Sequence, residues 1–246
     1  MAAPLARVPP AGASKPGRRA LAEWTASQLF EMIFNGELVP GSSLGEVEIT
    51  GLLGVSRSPI RDALRQLEES GLVDVVPTSG RRVVRRFDVD DVYELYTIRV
   101  ALESLSVRHA AERITASQLR DLETLLAAMA RTKTARTAAG RDFEADFRFH
   151  EAICLASDLK RLHQVLSGLW LQTRALLRHL DAAGIYPSPE ELDQVVDDHA
   201  QVLAALRAHD ADAAEAAISE HLRIRRDHLV GAVRSRGGIR PSQAST

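Results

Sequence analysis

The chain has 246 residues, room for two domains of ordinary size. Its 45% hydrophobic and 26% charged residues make a soluble globular balance, and aromatics at only 4% leave an aliphatic core of Leu, Val and Ala that favours helices. One cysteine, Cys154, excludes an internal disulfide and fits a reducing, cytoplasmic setting; no apolar run reaches the roughly 20 residues of a membrane span, and a formal charge of −2 does not by itself announce nucleic acid.

The N-terminus, MAAPLARVPPAGASKPGRR, lacks the apolar stretch of a secretory signal, and its Pro, Gly and Ala content reads as a disordered arm over 1–17. A first helix is expected over 20–35, with Leu21, Trp24, Leu29, Met32 and Ile33 on one face. The turn PGSSLG, from Pro40, stops it. A short helix over 46–53 leads into a tight corner at Gly54-Val55. The next helix starts at Ser56 or Ser58, both good N-caps, carries Pro59 in its first turn, and ends at Ser70 with Gly71 as its stop. Its apolar stripe is Ile60, Ala63, Leu64 and Leu67. Two β-prone runs, LVDVV and RRVV, are joined by the turn Pro77-Thr78-Ser79-Gly80.

From Asp88 onward the pattern is helical, with helices expected near 89–112, 116–133, 141–157, 159–183, 189–208 and 211–234. Thr115 with Gln118 reads as a capping box, as does Ser188 with Glu191, where Pro189 takes the first helical position. Short loops between long helices imply an antiparallel bundle. The fold class is therefore mainly α: an N-terminal winged helix-turn-helix over 18–86, then an all-helical bundle over 87–234, with a flexible tail at 235–246.

A helix, a corner containing Gly and a second helix form the helix-turn-helix pattern, in which the N-terminal residues of the second helix reach base edges in the major groove. Residues 1–86 carry 11 Lys and Arg against 9 Asp and Glu, a small excess that is locally clustered. Arg57 and Arg61 lie at the N-terminal end of the second helix, opposite its apolar stripe. A planar guanidinium suits guanine O6 and N7, and Ser56 and Ser58 are short donors suited to phosphate at a helix N-terminus. The hairpin tip, with Gly80, Arg81 and Arg82, reads as a wing that follows the minor groove or the phosphates. Arg65 reads as a surface partner of Glu69.

The stretch ELVPGSSLGEVEITGLLGVSRSPIRDALRQLEESGLVDVVPTSGRRV resembles the winged helix of the GntR family of bacterial transcription regulators. The family pattern runs Pro-Gly, Leu, Gly-Val-Ser-Arg-Thr-Pro-Val-Arg-Glu-Ala-Leu, Gly-Leu-Val and a wing glycine; here Ser58 replaces Thr, Ile60 replaces Val and Asp62 replaces Glu. The resemblance implies DNA contacts from Ser56, Arg57, Ser58, Arg61 and Gly80. Some members place a DNA-contacting Arg on the preceding helix where this chain has Val47, so their operator preference does not transfer.

Three histidines sit on apolar helix faces: His150 with Phe143, Phe147 and Cys154; His199 with Val195, Val202 and Leu206; His221 beside Ile218 and Leu222. Asp146 precedes His150 by one turn. Bundle cores build metal sites from side chains on facing helices, and imidazoles with one carboxylate suit zinc or nickel. Taken singly, each histidine reads more readily as a core residue with a satisfied hydrogen bond than as a ligand.

Residues 90–232, through YTIRVALESLSVRHAA, DFRFHEAICLASD and DDHAQVLAALRAHDADAAEAAISEHL, look like the helical ligand-sensing domain of the FadR branch, the FCD domain. That resemblance implies a divalent metal, zinc or nickel favoured, held by Asp146, His150, His199 and His221. Acyl-sensing members lack this set, which argues against an acyl-CoA ligand. Arg99 reads from its spacing as a surface partner of Glu103; the resemblance turns it into the pocket to bind a carboxylate, with Arg174 and Arg178 as further candidates. Asp158 stands where the family usually has Asn, and is expected to cap a helix.

The reading is a regulator, a repressor in the commoner family sense, that binds a near-palindromic double-stranded operator as a homodimer and is controlled by a small organic acid. Two rivals stand beside it. A metal-dependent hydrolase would use the same four ligands, although no general base or nucleophile is arranged next to them. An architectural DNA binder would be blind to sequence.

Overall fold

A computed structural model describes residues 18–132, 143–184 and 188–235. The arm expected over 1–17, the tail beyond Ser235, and the expected helix end at 133 and start at 141 lie outside the described residues. The chain divides into two compact units. One holds residues 18–86 with the stretch Ala175–His179; the other holds Phe87–Arg174 and residues 180–235.

In the first unit α1 (Arg18–Phe34), α2 (Glu46–Leu53) and α3 (Arg57–Glu69) precede a hairpin of β1 (Val73–Val75) and β2 (Arg82–Val84). Both α1 and α2 pack on α3, and Leu29, Ile33, Ile60, Leu64 and Leu72 are fully buried. The corner between α2 and α3 depends on Gly54, whose φ of 66° is the left-handed conformation that costs other residues about 1–2 kcal/mol. Gly71 ends α3 in the same region, and the Gly71 and Leu72 amides donate to the Glu68 and Leu67 carbonyls at 3.0 and 2.9 Å, a Schellman motif. Ser56 is the N-cap of α3 by its extended backbone, but its hydroxyl makes no capping hydrogen bond.

The strands pair antiparallel with Val73 opposite Val84 and Val75 opposite Arg82. They are shorter than the two β-prone runs because Val76 already turns the chain, accepting from the Gly80 amide at 2.9 Å. A third segment adds to the hairpin: Ser43 bridges to Val83, and the Leu44 amide donates to the Arg82 carbonyl at 2.9 Å. The loop around PGSSLG thus covers the β2 edge, which its sequence read only as a turn.

The second unit is a bundle of α4 (Val89–Ala111), α5 (Ala116–Thr132), α6 (Glu144–Ala156), α7 (Lys160–Ala182, apart from the stretch Ala175–His179), α8 (Pro189–Arg207) and α9 (Ala211–Ser235). Its centre is α4, which lies along α9 and also touches α6 and α8. The capping boxes Thr115–Gln118 and Ser188–Glu191 both form. A third, Asp88 with Asp91, opens α4; it falls outside the Ser/Thr-x-x-Glu/Gln pattern that flags such boxes. Asp158 stands just past α6 at φ 58°, a left-handed position that a short polar side chain tolerates and that ends the helix. No described helix is long and apolar enough to cross a membrane.

His179 on α7 is buried, and burial pushes its imidazole down to about 4. The folded value lies below the unfolded one, so this group's contribution is fully present above pH 6.5 and is lost as pH falls through 4. Unfolding free energies of metal-free protein are expected to fall across that window, and His179→Leu to flatten the fall; equal slopes for both proteins would refute this.

Candidate metal centre and nucleic-acid interface

Helix α6 buries Phe147, Phe149 and Ile153, α8 buries Val202 and Leu206, and α9 buries Ile218 and Leu222. Those apolar faces turn Asp146, His150, His199 and His221 inward, and one ligating atom from each lies within 4.8 Å of all the others. The three histidines are buried; Asp146 is partly exposed. The Phe149 ring meets His199 edge-on at 4.9 Å.

The outward nitrogen of each ring is taken by an acceptor. Nδ1 of His199 lies 2.6 Å from the Val195 carbonyl, which cannot donate, so that nitrogen carries the proton. Nδ1 of His150 donates in the same way to Glu103 Oε2 at 2.5 Å, and Nδ1 of His221 to Asp198 Oδ2 at 3.2 Å. This leaves Nε2 of each ring as an acceptor. Nε2 of His199 lies 3.2 Å from Asp146 Oδ1 and 3.3 Å from Nε2 of His150. Lone pairs that face one another at such distances repel unless a cation, a proton or a water lies between them, and three imidazoles with a carboxylate are borderline donors of the kind that hold zinc or nickel. The donor set therefore fits a divalent metal.

Carboxylates support the cluster from outside. Oε1 of Glu103 accepts from Arg99 Nε at 2.7 Å and from Trp170 Nε1 at 3.1 Å. Burial alone would raise the Glu103 carboxyl, but the charge of Arg99 and the hydrogen bonds that Glu103 accepts from His150 and Arg99 outweigh it and hold it at about 2. Burial likewise opposes ionisation of Asp146, yet His199, then His150 and His221, hold it well below the usual carboxylate range. Burial and the neighbouring His199 drive His221 down to about 3, against its own hydrogen bond to Asp198. Asp198 in turn accepts from Gln194 Nε2 at 2.6 Å.

The Arg99–Glu103 pair, which the spacing assigns to the surface, is instead inside the bundle, with side chains 3% and 4% exposed. Arg174 pairs with Glu144 at 2.8 Å and lies over the Phe147 ring, on the helix that carries two of the four clustered residues. Arg178 groups with the first unit, where its Nε donates to the Phe34 carbonyl at 3.2 Å. Glu103, Trp170 and Asp198 have no local motif; only packing brings them to the histidines.

On α3, Arg57, Ser58 and Arg61 are exposed, as is the N-cap Ser56, while Ile60, Ala63, Leu64 and Leu67 face the core. Arg61 makes a two-pronged contact with Glu46 on α2, Nε to Oε1 at 3.1 Å and Nη2 to Oε2 at 3.4 Å. Arg65 lies between Asp62 and Glu69 at 3.7 and 3.8 Å. Gly80 and Arg81 are exposed at the hairpin tip, and Gly80 takes φ 66°. Arg82 is half-buried and pairs with Glu68 at 3.2 Å, which ties the base of the wing to α3. Arg57 and Arg81 are in no ion pair with another described residue.

A winged helix-turn-helix followed by a helical bundle with an inward histidine cluster is the build of a DNA-binding regulator. Residues 21–83 match the family model described as "Bacterial regulatory proteins, gntR family", and residues 94–224 match the FCD domain; the chain belongs to the GntR family and carries an FCD domain. It is 31% identical over 185 residues to the HTH-type transcriptional repressor RspR of Escherichia coli strain K12, covering 75% of this chain and 78% of that one. It is 30% identical over 219 residues to the HTH-type transcriptional regulator LutR of Bacillus subtilis strain 168, covering 81% and 97%. The fold resembles that of E. coli McbR/YncC, with a TM-score of 0.72 and 24% identity over 88% of this chain and 98% of that one.

Proposed function

We propose that this protein is a cytoplasmic repressor of the FadR branch of the GntR family. As a homodimer it binds a near-palindromic operator and responds to a small organic acid held beside a divalent metal. The observation that carries the effector half is the continuity of the buried cluster: Arg99, a fork suited to a carboxylate, shares Glu103 with the candidate ligand His150. Asp146, His150, His199 and His221 would hold the metal, which supplies positive charge and positions for an acid's oxygens. Arg99 adds a charged partner; Arg174, paired with Glu144, and Arg178, bonded to the Phe34 carbonyl, are weaker candidates because neither shares a partner with a candidate ligand as Arg99 does through Glu103. Ser56, Arg57, Ser58 and Arg61 would meet the major groove, and Gly80, Arg81 and Arg82 the flanking backbone or minor groove. The repressor sign is supported by RspR, whose name describes a repressor.

The test selects DNA from a random pool with the purified protein, then measures binding to the selected sequence with and without zinc or nickel and a panel of small mono- and dicarboxylates. An effector acts only through its difference in affinity between the DNA-competent and incompetent states. A matching acid is expected to weaken operator binding by roughly 5- to 150-fold in metal-loaded protein. Enrichment of no sequence would favour an architectural binder, and turnover of an acid would favour the hydrolase.

A further inference from the structure

Glu103 contributes nothing to the cluster directly, yet three side chains from three helices converge on it. Arg99 comes from its own helix α4, His150 from α6 and Trp170 from α7. The two carboxylate oxygens are not equivalent. Oε1 takes both Arg99 Nε and Trp170 Nε1, two groups that can only donate, and Oε2 faces Nδ1 of His150. The pair of carboxylate oxygens therefore presents acceptors on both sides. It demands a proton on Nδ1 of His150, which releases Nε2 as a lone pair toward His199 Nε2 at 3.3 Å.

We infer that Glu103 is a positioning residue that selects the ring form of His150 able to ligate a metal, and that through the same carboxylate it ties this choice to the placement of Arg99. This rests on the metal reading of the histidine cluster. The isosteric substitution Glu103→Gln separates the two demands. An amide has one accepting oxygen and one donating nitrogen. The donors Arg99 and Trp170 hold the oxygen on their side, so the NH2 group is left facing His150. Nδ1 must then accept, the proton moves to Nε2, and the nitrogen needed by a metal is blocked.

Two measurements test this. The first reads the protonation of the His150 ring nitrogens by long-range 1H–15N correlation in chelator-stripped protein above the ordinary imidazole range, with the signals assigned through His150→Asn. Wild type is expected to carry its proton on Nδ1 and Glu103→Gln on Nε2. The second titrates zinc into stripped protein against a chromophoric chelator, where Glu103→Gln is expected to weaken binding by about 10- to 100-fold. A wild-type His150 protonated on Nε2 overturns the proposal without any variant, so a Glu103→Gln protein that fails to fold does not shelter it. An unchanged zinc affinity in a folded variant overturns it as well. Wild type that takes up no zinc, while its His150 proton stays on Nδ1 and moves in the variant, would refute the metal reading and uphold the control of the ring by Glu103.

Discussion

His199→Ala is expected to abolish a stoichiometric divalent metal: about one zinc or nickel ion per chain in tag-free wild type, and none in the variant, by elemental mass spectrometry. His199 is chosen because it is the hub of the cluster. It is fully buried, its Nδ1 is anchored on the Val195 carbonyl at 2.6 Å, and its Nε2 faces both Asp146 and His150. Removing it takes away one of four donors and the ring that spaces the other three. A thermal shift gives an independent readout. Added metal at 100 times its dissociation constant stabilises the folded wild type by about 2.7 kcal/mol, and the variant should gain almost nothing. Equal metal content in both proteins would refute the assignment of His199. No metal in either would return the three histidines to a structural role, their facing lone pairs bridged by protons or water, and the acid-effector proposal would fall with it.

Arg57→Ala is expected to weaken binding to the selected operator by about 1–3 kcal/mol, roughly 5- to 150-fold, and to relax base preference at one position of each half-site. The melting temperature should hardly move, because Arg57 is exposed and in no ion pair with another described residue. Uniform weakening across all sequences, with the salt slope reduced by about 1, would make Arg57 a phosphate contact instead. Unchanged affinity and unchanged preference would remove it from the interface. Arg61 is the less clean choice for this test, since its guanidinium is already shared with Glu46 and truncation frees that carboxylate beside the DNA surface.

Local chemistry makes much of this molecule legible in its sequence. The helix-turn-helix is a series of short-range decisions: Gly54 takes a left-handed corner, Gly71 stops α3, and the 3.6-residue period of Ile60, Ala63, Leu64 and Leu67 says which face is core and therefore which face shows Arg57 and Arg61. The capping boxes at Thr115 and Ser188 are legible for the same reason, since their partners are three residues apart. The pairing of Asp146 with His150 on one face also follows from helix geometry alone.

Most helices and their inward faces thus follow from the order of residues along the chain, while the short strands and the Ser43 bridge to β2 do not. Which inward faces meet is a matter of packing. His150 and His199 are 49 positions apart and Glu103 and Trp170 are 67, separations over which helical periodicity carries no information. The same limit explains Arg99. A spacing of four residues brings Arg99 and Glu103 together on α4 in any environment, but whether the pair lies in water or in the core depends on the helices that close over it, here α6 and α9 with α8. It explains the arginines of the first unit too, because the partners Glu46 of Arg61 and Glu68 of Arg82 come from other elements. A helix pattern specifies a direction from its own axis; a site needs several such directions to cross at one point, and that crossing is set by the tertiary structure.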